Sequence, residues 1–177
     1  CGKNSPVELN LFQLDSGSRH PYMCGIVGIV SSSPVNQQVY NALALLQHRG
    51  QDSTGIATSD GQAIHIHKAK GQVREGYRTR DMRALVGTIG LGHVRYATRG
   101  QAGREEEAQP FYVNAPYGIV LVHNGNLTNT RELSKELAER DRRHLNTSSD
   151  TELLVNALAS ELQHSDPNHS FSAETAF

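Results

Sequence analysis

With 177 residues the chain has the length of one domain and leaves little room for two. A net charge of −1 gives nucleic acid and anionic membranes nothing to attract, and no apolar run is long enough to cross a bilayer. Two cysteines, Cys1 and Cys24, make no disulfide framework and fit a reducing, cytoplasmic setting.

Residues 1–23 are polar and mixed, with one short apolar patch at Leu9 to Leu14, and read as a leader or non-native extension. From Cys24 the pattern sharpens into a domain expected to span 24–165. Ile26, Val27, Ile29 and Val30, with Gly25 and Gly28 among them, predict a strand. Val39, Leu43 and Leu46 recur at helical spacing and predict a helix over 36–47, which the polar run His48 to Asp52 breaks. Two strands follow, Gly55–Thr58 and Ala63–His67. The Asp-Gly pair in Ser59-Asp60-Gly61 signals a hairpin between them. A short helix is expected over 79–85 and a strand from Gly90 to Tyr96. Another strand runs from Tyr117 to His123, with Ile119 to Val122 as a continuous buried run. The polar stretch 97–116 between them reads as a long loop. A helix from about Thr130 to Arg140 carries Leu133, Leu137 and Ala138 on its apolar side. A second opens at Ser149, at capping-box spacing from Glu152, with Leu154, Leu158 and Leu162 as its stripe. Residues 166–177 carry no pattern and read as a truncated linker towards a further domain. Strands and hairpins with closing helices predict the α+β class rather than an alternating parallel array.

Several residues carry two readings each. Cys24 is either a small buried hydrophobe or a nucleophile. Glycine follows it, it begins its strand, and Met23 precedes it in the context where an initiator methionine is removed. A chain starting at Cys24 would set a free α-amine, of pKa about 8, beside its own thiol, of pKa about 8.5, so that the amine could take the thiol proton. His123-Asn124-Gly125-Asn126 is either a polar turn or an oxyanion hole made of an Asn side-chain amide and a Gly backbone N–H. Arg95, at a strand end, either forms an ordinary salt bridge or grips a substrate carboxylate. Asp150 either complements a helix dipole or accepts from a substrate ammonium. Arg49 and Asp52 share that ambiguity. His65 and His67 read as exposed strand residues without the partners a zinc site needs. Arg140 to Arg143 reads as a solvated helix end.

The motifs CGIVGI, LQHRGQDSTGIA, GHVRYAT, HNGN and SSDTELL follow one another from Cys24 to about Leu162. In that order they resemble the glutamine amidotransferase domain of the N-terminal-nucleophile family. Leu46 to Gln51, Glu107-Ala108-Gln109-Pro110-Phe111 and Asn124 to Asn129 are most similar to its amidophosphoribosyltransferase branch. The resemblance implies a four-layer αββα sandwich. It implies Cys24 as nucleophile with its α-amine as base, and Asn124 and Gly125 as oxyanion hole. Arg95 would bind the glutamine α-carboxylate, Asp150 its α-ammonium, and Arg49 would shape the pocket. Residues from Arg95 to about Gly103 would close over glutamine. No cofactor is implied for this domain. The ammonia acceptor would be phosphoribosyl pyrophosphate, held with Mg²⁺ by a missing phosphoribosyltransferase domain, giving 5-phosphoribosylamine for purine synthesis in a homo-oligomer. The alternatives are a glutaminase domain of the glucosamine-6-phosphate synthase or asparagine synthetase type, or a non-catalytic fragment. With residues 1–23 attached, Cys24 has only an amide nitrogen, and no glutaminase activity is expected.

Overall fold

The protein is described by a computed structural model covering residues 24–96 and 105–165. The expected leader, the expected linker and the part of the expected glutamine-closing loop at 97–103 lie outside the described residues. In chain order the elements are β1 (Gly25–Val30), α1 (Asn36–Leu45), a 3-10 turn (Leu46–Arg49), β2 (Ser53–Ser59), β3 (Ile64–Lys70), α2 (Val73–Gly76), α3 (Thr79–Ala84) and β4 (Ile89–Arg95). A second 3-10 turn (Glu105–Glu107), β5 (Phe111–Val113), β6 (Ile119–Leu121), α4 (Thr130–Asp141) and α5 (Asp150–Ser165) complete the order.

The Asp-Gly hairpin forms as its chemistry dictates. Ser59 pairs with Ile64, Asp60 Oδ1 accepts the N–H groups of Gln62 and Ala63, and Gly61 takes φ +89°. Both strands run longer than expected because pairing on β4 extends β2 back to Ser53. The resulting antiparallel sheet has the order β1-β4-β2-β3.

Side chains alternate across this sheet. One face carries Ile29, Ile56 and Val94, and α1 lays Val39 and Leu43 upon it, joined by Val35, Val73 and Leu85 in one buried cluster. The opposite face meets the β5–β6 pair, where the Lys68 ammonium stands 4.5 Å over the Phe111 ring. Helix α5 packs on β5 and β6, and α4 packs on α5. The layers therefore run helix, sheet, sheet, helix. On β1 and the adjoining end of β4 the inner face stays open: Val30 is 74% exposed, and Ile26 and Ile89 stand beside it.

Several expectations are corrected. The supposed loop 97–116 contains a helical turn and β5. The strand expected over Tyr117–His123 is regular only at Ile119–Leu121, and these residues are half-buried. Helix α1 tightens into 3-10 geometry at Leu46. On α5 the buried residues include Thr151, Leu153, Val155 and Ala159, whereas Leu154, Leu158 and Leu162 are half-buried, because the helix lies between a sheet and α4. Glu152 does not close a capping box on Ser149; its carboxylate takes the N–H groups of Asn146 and Thr147 at 2.9 and 2.7 Å. His67 is not exposed: its Nε2 lies 2.7 Å from the Gly76 carbonyl and its ring lies against Tyr77. Arg140 and Arg143 bind Glu161, Asn156 and Gln163, so the basic cluster ties α4 to α5. Among the described residues no helix is long and apolar enough to cross a membrane.

Candidate active site

β1 pairs with β4 from Gly25 opposite Val94, which leaves Cys24 one step beyond the ladder, facing the end of β4. There the Tyr96 N–H points at the Cys24 Sγ, 3.5 Å away. The thiol is free and half-buried. Two donors from distant parts of the chain meet at the Cys24 carbonyl: Arg49 Nε at 3.3 Å and Asn124 Nδ2 at 3.1 Å. The backbone immediately after the sulfur-bearing residue is thus anchored from two sides.

Arg49 reaches that carbonyl because the 3-10 turn after α1 brings it back over β1. The following Gly50 passes so close to β4 that a Cβ would sit 2.5 Å from the Arg95 carbonyl carbon, which only glycine allows. The Asp52 N–H then donates to the Arg95 carbonyl at 3.0 Å.

The Arg95 side chain is largely buried and already engaged. Its two terminal nitrogens donate to Asp52 Oδ2 at 3.2 Å and Glu107 Oε2 at 2.9 Å. Glu107 is 4% exposed, and its other oxygen accepts from Ser148 Oγ at 3.0 Å. One guanidinium therefore joins the loop before β2, the end of β4, the second 3-10 turn and the approach to α5.

Asn124 and Gly125 lie exposed just after β6. The His123 ring approaches Gly125 closely; a Cβ there would meet Nε2 at 2.6 Å. Asp150, first residue of α5, accepts the Leu127 N–H at 3.2 Å, and its Oδ1 stands 3.8 Å from His123 Nδ1. So the structure gathers Cys24, Arg49 and Asn124 directly, sets Arg95 at the adjoining strand end, and ties Asp150 to the segment carrying Asn124 and Gly125. His93, one residue before Val94 on the inner face of β4, is fully buried, and neither ring nitrogen finds a hydrogen-bond partner among the described residues. Burial lowers its pKa to about 4.

Asp52 was one of the ambiguous sequence candidates and gains a definite partner here. Glu107, Gln109 and His123 carry no residue role in the sequence reading. Their only signal was the pair of motifs EAQPF and HNGN. A separate open cavity of about 640 Å³ lies between β3, β5 and the segment joining α4 to α5, lined by Lys68, Phe111, Arg143 and Glu152 among others. None of the predicted site residues lines it.

A family model described as a glutamine amidotransferase domain matches residues 93–170. The amidophosphoribosyltransferase of Pseudomonas aeruginosa is 56% identical over 140 residues, covering 79% of this chain and 28% of the relative. Two solved structures superpose well. One, described as the allosteric regulatory enzyme of purine biosynthesis, has a TM-score of 0.70 and 33% identity, covering 85% of this chain and 31% of its own. The other, a glutamine phosphoribosylpyrophosphate amidotransferase from B. subtilis complexed with ADP and GMP, has a TM-score of 0.66 and 32% identity, with the same coverage. The chain thus spans under a third of the length of these relatives. Its sandwich is the N-terminal-nucleophile fold, and the chain carries a glutamine amidotransferase domain of the amidophosphoribosyltransferase type.

Proposed function

We propose that Cys24 hydrolyses glutamine and that the whole protein passes the ammonia to phosphoribosyl pyrophosphate, forming 5-phosphoribosylamine for purine synthesis in the cytoplasm. The observation that carries this is the convergence of Arg49 and Asn124 on the Cys24 carbonyl at the open end of β1, beside the Tyr96 N–H.

The steps follow from the chemistry of these groups. In a chain initiated at Met23, removal of that methionine leaves an α-amine on Cys24, and that amine takes the thiol proton. The thiolate attacks the side-chain amide carbon of glutamine, and charge moves to the amide oxygen. A carboxamide has two N–H donors. One N–H of Asn124 holds the Cys24 carbonyl while the second, with the Gly125 N–H, receives the oxyanion. The carbon–nitrogen bond then breaks, the departing nitrogen takes the proton held by the terminal amine, and water hydrolyses the thioester to glutamate.

Arg95 and Asp150 select free glutamine by its two charges. A guanidinium has five N–H donors, and Asp52 and Glu107 occupy one on each terminal nitrogen, so the substrate carboxylate meets those that remain. Asp52 and Glu107 fix the plane of that guanidinium. Among the described residues no group of three or more His, Cys, Asp or Glu side chains is placed to hold a metal ion. Mg²⁺, phosphoribosyl pyrophosphate and homo-oligomer contacts belong in this proposal to the remainder of the protein.

Two forms of the protein test the proposal, one retaining residues 1–23 and one initiated at Met23, with each N-terminus fixed by mass spectrometry. The second form should release ammonia from glutamine and the first should not. Release by the uncleaved form, or none from a verified Cys24 terminus, would sink the mechanism.

A further inference from the structure

Gln109 is absent from the mechanism above, yet it is 7% exposed and both ends of its carboxamide are used. Its Oε1 accepts the His123 N–H at 2.6 Å, and its Nε2 donates to the His123 carbonyl at 3.0 Å. A peptide group of a neighbouring strand would make the same pair of bonds. The β5–β6 register accounts for this. Phe111 pairs with Leu121, so the ladder extended by two residues would set Gln109 opposite His123. Regular pairing stops at Phe111, and the preceding Pro110 has no N–H to contribute. The Gln109 side chain supplies the missing rung. Its own backbone lies directly against β2: a Cβ on Gly55 would lie 2.0 Å from the Gln109 carbonyl oxygen, an approach only glycine permits. A continuous run of contacts therefore leads from the first sheet through Gln109 to His123, the residue immediately before Asn124.

We propose that Gln109 is a positioning residue for the oxyanion pair, its carboxamide acting as a surrogate peptide that fixes where Asn124 and Gly125 stand relative to Cys24. The proposal rests on the glutaminase reading. Gln109 touches no substrate, and it acts through the His123 backbone. Its removal should damage only steps that build negative charge on an oxygen. Alkylation of Cys24 by iodoacetamide builds none: the sulfur–carbon bond forms as the carbon–iodine bond breaks and iodide leaves.

The test uses the full-length protein with a verified Cys24 terminus. Gln109→Met keeps the side-chain volume and removes both bonds; Gln109→Glu keeps the acceptor and loses the donor. Displacing a catalytic group by about 1 Å can cost about 10²-fold in rate, and a loss of that order is expected in kcat for Gln109→Met. KM should stay within about threefold, because glutamine binding is left to Arg95 and Asp150. The iodoacetamide rate at Cys24 should match wild type. If Gln109→Met melts below the assay temperature, Gln109→Glu is judged by the same comparison. Unchanged kcat in a folded variant overturns the proposal, and so does a parallel fall in kcat and alkylation, which would mean general loss of the site. A wild-type protein that alkylates but never hydrolyses glutamine overturns the underlying reading and the proposal with it.

Discussion

Asn124 joins the two ends of the site. Its amide touches the Cys24 carbonyl and, in the proposed reaction, faces the developing oxyanion. Losing one donor of this kind costs about 10²–10³ in turnover, so Asn124→Ala should lower kcat by that factor, as steady-state glutaminase kinetics would reveal. An unchanged kcat would remove Asn124 from the oxyanion hole. His93 has a different consequence. Its folded pKa of about 4 lies below the unfolded value near 6.5, so between these pH values the unfolded chain binds more protons than the folded one. The stability this group contributes is complete above about pH 6.5 and lost by about pH 4, a change of about 3 kcal/mol. Urea unfolding at pH 7 and pH 4.5 should show that decline in wild type and a shallower one in His93→Asn. Equal slopes would mean that His93 is not held neutral by burial.

At the scale of elements, helix α1 is joined to the first sheet by side chains its sequence announces. Leu43 is fully buried between that helix and β4, and Leu43→Ala should cost about 2–5 kcal/mol in a urea titration. A cost under about 1 kcal/mol would show that the contact collapses without a cavity. Periodicity made α1, α4 and α5 legible because each is long enough to repeat, and the Asp-Gly pair marked the β2–β3 hairpin. β5 was not legible: three residues after a proline give no period. The stripe on α5 was misjudged because a helix with two neighbours buries more than one line of side chains. The site splits along the same division. Cys24, Arg49, Arg95, Asn124, Gly125 and Asp150 lie in motifs that can be read in order. The bonds of Arg95 to Asp52 and Glu107 cross 43 and 12 residues, and that of Gln109 to His123 crosses 14. No local rule exposes such distances.

At the scale of the whole molecule, no single stretch of chain holds the site. The residue just before β1 supplies the thiol, the turn after α1 an arginine, the segment after β6 the amide, and the start of α5 the carboxylate. Forming it means closing long loops. Time on the ribosome then matters. The hydrogen bond from Asn124 to Cys24 spans 100 residues. At about 5–20 residues per second, Cys24 emerges roughly 5–20 s before its partner. On the proposed processing, Met23 can be trimmed from a terminus that nothing yet covers, and the general base exists before the oxyanion hole that it serves.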